Sequence, residues 1–404
     1  MATVNDMVVY QASTVLNSLV KQATGQAAIT ASTPGEFVSV AQTALKTGYD
    51  PILNAMSQMW GRTIFSIRPY TRKFKGMEMS LDRWGNACRK ISVAEQPVKD
   101  DERFTYPAGY DSAQTPENGN GKSVDMFKLN KPDILQTNFY GQSVYENIYT
   151  VFRDNLDVAF TGPDEFMRFN SMVAQNRSDK LEQYRETIAR GLLVNYIASI
   201  LDENDENRIV HLLSQYNALT GQELTAQTVF QPANLQSFME FVYSKISTIS
   251  RMMTERSEMF QTVINDKHVL RHTPPNKQKV YLLSYFMDMF DAMVKANTFH
   301  DNYLKYTDYE GVTFWQSIRE PAFVSATATY TRTDGTVATG ASPKEQHGIF
   351  GVIFDEDALG YAQVNAWNSL TPFNPVGGYW NDVDHVNFKT IQDMTEKGVV
   401  LLLN

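Results

Sequence analysis

Hydrophobic and polar positions repeat with a helical period over a long stretch, 161–202. Its apolar residues fall three or four positions apart, and only Arg177 interrupts them. The members of this stripe are Phe166, Phe169, Val173, Leu181, Tyr184, Ile188, Leu192 and Tyr196. This spacing is typical of one face of an α-helix, so it predicts a single helix over 162–202. At ~1.5 Å per residue the helix would be about 60 Å long.

The start of this helix is marked by its first residues. Thr161 is expected to cap the first turn together with Asp164, and Pro163 suits a first-turn position. Asp164 and Glu165 would complement the positive end of the helix dipole.

The middle of the predicted helix is polar outside the apolar stripe. From 175 to 187 nearly all other positions are charged or polar. We therefore expect the helix to run along a core with most of its sides exposed, as a spine that connects several segments. A long helix on the surface of an ordinary α/β enzyme is the alternative.

The N-terminal residues have few large apolar side chains. Residues 1–48 mix Ala, Thr, Ser, Gln and Val and are broken by Ser32, Thr33, Pro34 and Gly35. They are interpreted as an arm that is loose or lies over another surface. Residues 51–60 predict a short helix that anchors this arm.

A charged region follows, from 62 to 129. Strand-like segments at 63–68 and 87–93 alternate with charged and turn-forming residues, and 107–121 is rich in Gly, Asn, Pro and Ser. A loop of this length is uncommon inside a compact domain. We interpret the region as a long hairpin that leaves the body and binds a partner, with a disordered surface insertion as the alternative. The β-prone residues 131–160 then lead back to the long helix.

The second half of the chain predicts an α/β layer. Residues 232–253 form an amphipathic helix pattern with Pro at the first turn. Residues 279–283 read as a buried strand, and a helical run follows. Residues 323–333 alternate, and Asp334-Gly335 supplies a hairpin turn.

Three more strands complete the pattern. Residues 348–354 predict a strand, and Asp355 is expected to cap a short helix after it. Residues 385–389 form another strand. The final run VVLLL after Gly398 is so apolar that it must pair inside a sheet.

Composition narrows the class of protein. The 404 residues are 43% hydrophobic and carry a net charge of −9, with a pI of about 5.3. An acidic chain has no broad positive field for sequence-independent DNA binding. The single Cys88 excludes an intramolecular disulfide framework. The opening residues show no basic and apolar leader pattern, and no apolar run reaches eighteen residues, so we expect a soluble protein without membrane contact.

Candidate chemistry is sparse. His268 and His272 stand four apart, a spacing that places two imidazoles on one helix face for a metal. The acidic run Asp355, Glu356 and Asp357 could hold a hard cation or act as acid and base. Together they define one alternative function, a metal-dependent hydrolase. However, helix capping explains the acidic run more simply, and Pro274 directly follows the histidine segment.

No other catalytic motif occurs in the sequence. Cys88 has no His or basic partner in a nucleophile motif, and neither a G-x-S-x-G, a phosphate-binding loop nor a dinucleotide fingerprint is present. The sequence therefore predicts no catalytic, cofactor-binding or metal-binding residue and a protein that is not an enzyme.

The order of these parts, arm, charged hairpin, long helix, α/β lobe and closing strand, resembles the major capsid proteins of tailed bacteriophages, which share the HK97-like fold. Local segments resemble those of phi29-type podophages and related gut phages. They include TALKTGYDPILNAMSQ, NKPDILQTNFYGQSVYENIYTVFRDNLDVAF, RHTPPNKQKVYL, FGVIFDEDALGY, TPFNPVGGYW and MTEKGVVLLL.

The resemblance implies an α+β chain of the HK97-like capsid fold. Residues 1–61 would be the N-terminal arm and short helix, and 62–142 the extended E-loop. Residues 143–202 and 365–397 would form the peripheral domain around a spine helix at 162–202. Residues 203–364 and 398–404 would form the α/β axial domain.

The resemblance also implies a function and partners. The chain would be a structural protein that self-assembles into pentamers and hexamers of an icosahedral or prolate head around double-stranded DNA. Scaffolding, portal and head-decoration proteins would be partners, and the DNA would be bound without sequence specificity. The protein would be made in the host bacterial cytoplasm and reside in the virion. A decoration or adaptor protein that binds a shell without forming one is a further alternative.

Overall fold

A computed structural model describes residues 14–18, 20–21, 33–60, 70–80, 88–94, 127, 129, 131–289 and 309–404. The chain divides into two compact units. The first unit comprises Met1–Asn86, Tyr140–Leu193 and Leu359–Ile391, and the second comprises Ala87–Phe139, Val194–Ala358 and Gln392–Asn404.

The helices and strands that lie wholly within the described residues are as follows. The helices are Pro34–Thr47, Tyr49–Trp60, Arg153–Ala159, Pro163–Glu203, Leu212–Thr220 and Pro232–Thr254, with short 3₁₀ turns at Lys75–Met77 and Pro275–Lys277. The strands are β1 (Cys88–Val93), β2 (Ile134–Phe139), β3 (Gly141–Phe152), β4 (Ile209–His211), β5 (Gln278–Leu283), β6 (Tyr309–Val312), β7 (Val324–Ala326), β8 (Thr329–Thr331), β9 (Val337–Thr339), β10 (Lys344–Gln346), β11 (Ile349–Asp355), β12 (Leu359–Leu370), β13 (Tyr379–Gln392) and β14 (Gly398–Leu402).

The helix Pro34–Thr47 lies where the sequence indicated a break in an arm. Thr33 and Glu36 form a reciprocal capping box, and Pro34 occupies the first turn. Phe37 is fully buried and meets Phe166 edge to face, with ring centroids 5.6 Å apart. Residues 33–47 therefore lie over another surface, which is one of the two outcomes expected for the arm, and the short helix predicted at 51–60 is confirmed as Tyr49–Trp60. Both helices pack into the core of the first unit.

The sheet of the first unit has the strand order β12-β13-β3. β13 and β3 are antiparallel over twelve residue pairs, from Tyr379↔Phe152 to Thr390↔Gly141. Tyr184 of the long helix packs against the inner face of the sheet, where its ring centroid is 4.6 Å from that of Tyr145. The strand expected at 385–389 is thus part of a much longer one.

The long helix (Pro163–Glu203) confirms the periodic pattern to within one residue at each end. Its predicted cap is wrong, because the Thr161 hydroxyl donates to the carbonyl of Val158, 2.7 Å away, in the preceding helix. Its exposure also differs from the expectation. Residues 196–200 are buried on all sides, and the polar middle is partly covered by ion pairs described below.

The second unit is built on a sheet of the order β4-β14-β11-β5-β6. β14 is buried along its whole length between β4 and β11, as the apolar C-terminal run requires. β5 confirms the predicted buried strand, and residues 284–289 after it are helical. The helix Pro232–Thr254 buries the predicted apolar face, which includes Leu235, Phe238 and Val242.

Two predicted turns have different outcomes. β8 and β9 pair around Asp334-Gly335, so the hairpin is confirmed. No helix follows Asp355, because β12 begins at Leu359 after a short turn. The Asp355 carboxylate instead accepts a bond from the Asp357 amide, at 2.8 Å, and this stabilises the turn between β11 and β12.

Candidate functional site

The base of the predicted hairpin is a two-stranded ribbon. β1 and β2 pair antiparallel from Cys88↔Phe139 to Val93↔Ile134. The pairing brings 88–93, which lies inside the predicted hairpin, beside 134–139, which lies just after its predicted end. The paired base therefore begins later in the chain than the expected start at 62. The hairpin tip at 107–121 and the expected strand at 63–68 lie outside the described residues.

The outer face of this ribbon exposes three large aliphatic side chains. Side chains alternate strictly across the ribbon, since successive residues of a strand point to opposite faces. Ile91, Val93 and Ile134 point outward and are 54%, 60% and 54% exposed. Arg89 and Gln136 lie on the same face. Monomeric proteins seldom leave several large aliphatic side chains together in water, so this outer face is a candidate contact surface.

A second apolar face lies on the sheet of the first unit. Val144, Ile148 and Phe152 of β3 point away from the long helix and are about half exposed. On the same face Trp367 of β12 stacks on His385 of β13, with ring centroids 5.0 Å apart. The described sheet thus has a covered inner face and an uncovered outer one.

Arg177, which interrupted the apolar stripe of the long helix, is buried. Its Nη1 lies 2.7 Å from Asp382 Oδ2, and its other terminal nitrogen contacts Asp384. Asn368 donates to both carboxylates, so the charges are enclosed in a hydrogen-bonded network. The interruption is therefore an attachment point of the helix to β13.

Residues 70–80 contact the polar middle of the same helix. Arg72 Nη1 lies 2.6 Å from Glu182. Tyr70 donates its hydroxyl proton to Glu186, and this bond, with burial, raises the pKa of Tyr70 to about 12. These contacts explain why the charged middle is less exposed than expected.

The second unit contains a buried arginine. Arg208 is fully buried and donates from Nε to the Gly398 carbonyl at 3.1 Å and from Nη1 to Thr262 at 2.7 Å. Its Nη2 donates to the hydroxyl of Tyr196, and burial raises the pKa of this Tyr to about 12. Arg208 thus connects the long helix to the start of β14. Nothing in the sequence pattern indicated this role.

The predicted metal ligands are not brought together. His268 and His272 lie in irregular chain, so the helix-face argument does not apply to them. His268 contacts Glu258 at 2.6 Å, whereas Asp355 is buried and accepts a bond from Thr273 at 2.6 Å. Among the described residues no three His, Cys, Asp or Glu side chains are grouped as metal ligands would be.

Two further observations concern the single cysteine and the helices that could span a membrane. Cys88 is a free thiol at the base of the ribbon. Within the part of the chain that the structure describes, no helix combines the length and apolar character needed to cross a bilayer.

Comparison with solved structures identifies the fold. The capsid structure of Staphylococcus phage Andhra matches with a TM-score of 0.51 and 12% sequence identity, over 85% of this chain and 87% of that one. A chain in the structure of the head fibre and inner core protein of native bacteriophage P68 matches with a TM-score of 0.50, the same identity and the same coverage. Comparison with curated protein sequences finds no match.

The fold, with its exposed apolar surfaces and long helix, is therefore the HK97-like fold of phage capsid proteins. Residues 16–390 match the model of one family, described as the Phi29-like phage major capsid protein. The chain belongs to this family. It is a structural protein of the virion, where many copies build the capsid shell. Nothing in the described structure or the comparisons supports the hydrolase or the decoration-protein alternative.

Proposed function

We propose that subunits of this chain assemble as pentamers and hexamers into an icosahedral or prolate head that encloses double-stranded DNA. The observation that carries this proposal is the exposed outer face of the ribbon, formed by Ile91, Val93 and Ile134. Fully burying one such side chain is worth about 1.5–3 kcal/mol, so contact with a neighbouring subunit would be favourable.

The proposed division of the subunit follows the family fold. The arm is 1–61 and the E-loop is 62–142, which reaches a neighbouring subunit. The peripheral domain is 143–202 with 365–397, and the axial domain is 203–364 with 398–404. The paired strands β1 and β2 support the E-loop assignment, because they hold 88–93 and 134–139 side by side and so enclose most of that segment.

The proposed partners extend beyond copies of the same chain. Scaffolding, portal and head-decoration proteins would act with the shell, and the packaged DNA would meet its inner face without sequence-specific contacts. The net charge of −9 supports this weak DNA contact, because an acidic chain does not attract phosphate broadly. The subunit acts as a non-enzymatic protein and is made in the host bacterial cytoplasm.

The test removes the apolar outer face without disturbing the strands. The double variant Ile91→Thr and Ile134→Thr keeps β-branched residues, so the ribbon should still form. We expect soluble, folded subunits that give few shells in negative-stain microscopy. Shortening the tip by deleting 107–121 should have the same effect.

The matched control is the double variant Gln136→Thr and Asn138→Thr, which changes polar residues on the same exposed face. It should assemble as the unmodified protein does. Normal shells from the Ile91→Thr and Ile134→Thr variant would show that this face is not an assembly contact.

A further inference from the structure

Four charged side chains lie together where β1 and β2 contact the remainder of the second unit. Lys90 of β1 places its Nζ 2.8 Å from Asp393 Oδ2 and also pairs with Glu396. Arg271 places its Nη1 3.3 Å from Glu396 Oε1. Both carboxylates belong to the turn between β13 and β14, so two cations and two anions alternate across the hairpin base.

Among the described residues, the buried apolar cluster at this attachment is small. Ala94 and Leu135 of the ribbon region meet Ile264 and Val269 in a small buried cluster. The same inward face of the ribbon carries Ser92, whose hydroxyl accepts a bond of 2.7 Å from Arg271 Nη2. Because little apolar area is buried here, polar contacts largely decide whether the ribbon stays in place.

The two carboxylates have different surroundings. Thr395 donates to Asp393 from its amide and its hydroxyl, at 2.9 and 2.6 Å. Although burial acts to raise it, the pKa of Asp393 is lowered by Lys90 and by Thr395. Burial raises the pKa of Glu396, in spite of Lys90 and Arg271. Glu396 is therefore the first of the two to lose its charge as the pH falls.

The charged and titratable groups around Glu396 come from several elements. They are Lys90 on β1, Arg271 on the segment before β5, Asp393 on the same turn and Tyr196 on the long helix. Lys397, the next residue, instead donates to the Glu255 carbonyl and the Ser257 hydroxyl.

We propose that Lys90, Arg271, Asp393 and Glu396 form a releasable ionic latch that sets the direction in which the hairpin leaves the subunit. While all four are charged the cluster is neutral, and the ribbon is held. When Glu396 is neutral, Asp393 is the one carboxylate of the four groups left to balance Lys90 and Arg271. The net positive charge then weakens the attachment of the ribbon. The ribbon then swings while the remainder of the subunit stays folded.

The test measures the position of the ribbon in the isolated full-length subunit. In a Cys88→Ser background, spin labels are placed by Asn138→Cys on the ribbon and Ser244→Cys on the helix Pro232–Thr254, both at exposed positions. We expect one narrow distance distribution at about pH 7.5 and an added, different population at about pH 5. Glu396→Gln, which imitates protonation, should show that population at both pH values.

Lys90→Met should release the ribbon in the same way, because it removes one cation and keeps an unbranched side chain of similar length. The control is Lys267→Met, which removes the more exposed contact of Lys267 with Asp133 on the same ribbon. It should retain the distribution of the unmodified protein, since exposed ion pairs contribute little.

A distribution that stays unchanged in Glu396→Gln, and in the unmodified subunit between the two pH values, would overturn the latch. Release by Lys267→Met equal to that by Lys90→Met would also overturn it. The pH comparison needs no substitution in the cluster, so it decides the question even where a variant fails to fold. The shell assay of the outer face reports separately on the proposed function.

Discussion

The guanidinium of Arg177 lies 2.7 Å from the carboxylate of Asp382, and neither side chain is more than 8% exposed. This ion pair joins the long helix to β13, and its two residues are 205 positions apart in the chain. It stands at the one position where the apolar stripe of the helix is interrupted. A charge in an apolar stripe thus marks a buried attachment.

Replacing Arg177 by Met should destabilise the first unit strongly. Asp382 and Asp384 would be left in the interior without their cation, and breaking a buried pair in this way typically costs about 3–5 kcal/mol. The free energy of unfolding, measured by denaturant titration of the isolated subunit, tests this expectation.

The control for that variant is Arg168→Met on the same helix. Arg168 pairs with Glu165 at 3.5 Å, but both side chains are at least half exposed. Its loss should cost less than about 1 kcal/mol. Equal effects of the two substitutions would mean that the buried pair does not stabilise the helix.

Replacing either of two glycines by alanine should change the free energy of unfolding, in opposite directions at the two positions. A Cβ at Gly398 would collide with the hydroxyl and ring of Tyr196, which is fully buried. Overpacking of this kind costs about 1–3 kcal/mol, so Gly398→Ala should lower the unfolding free energy. Gly191 lies within the long helix, and nothing is within 4 Å of an added Cβ. Gly191→Ala should stabilise by about 0.5–1 kcal/mol.

Thermal unfolding of both variants tests whether Gly398→Ala lowers the stability of the protein and Gly191→Ala raises it. A Gly398→Ala protein as stable as the unmodified one would show that Tyr196 can move at little cost, contrary to its packing against Phe354 with ring centroids 5.8 Å apart.

Acid should weaken the attachment of residues 70–80 to the long helix. Burial acts to raise the pKa of Glu182, but Arg72 and Arg185 lower it below its ordinary value. A carboxyl whose pKa is lower in the folded state stabilises fully above its unfolded pKa of about 4.3, and this stability is lost as the pH falls through the folded pKa. Unfolding free energies between about pH 6 and about pH 3 should therefore decline with acid.

Arg72→Met should make that decline shallower, because the pKa of Glu182 then moves towards its unfolded value. The control is Arg153→Met, which removes an exposed cation that contacts Asp157 at 3.9 Å. It should keep the original slope. An unchanged slope in Arg72→Met would contradict the assignment of this pH dependence to Glu182.

Some features could have been found in the sequence but were missed. The capping box of Thr33 and Glu36 with Pro34 between them is a recognised helix start, yet the same residues suggested a break. The pattern at Asp355 predicts a helix start, whereas the structure has a turn there, because an Asp can stabilise either. The tight spacing before the next β-prone run favours the turn.

The sequence by itself determined the type and extent of the long helix and of the C-terminal strand. The period of three to four predicted the helix Pro163–Glu203, and the apolar run at the C-terminus predicted β14, because such patterns depend on local geometry and burial of one face. Only the tertiary structure decided which charges meet. Arg177 pairs with Asp382, and Lys90 pairs with Glu396, a residue 306 positions later. Partners so distant in sequence are brought together by the path of the whole chain, on which local periodicity carries no information.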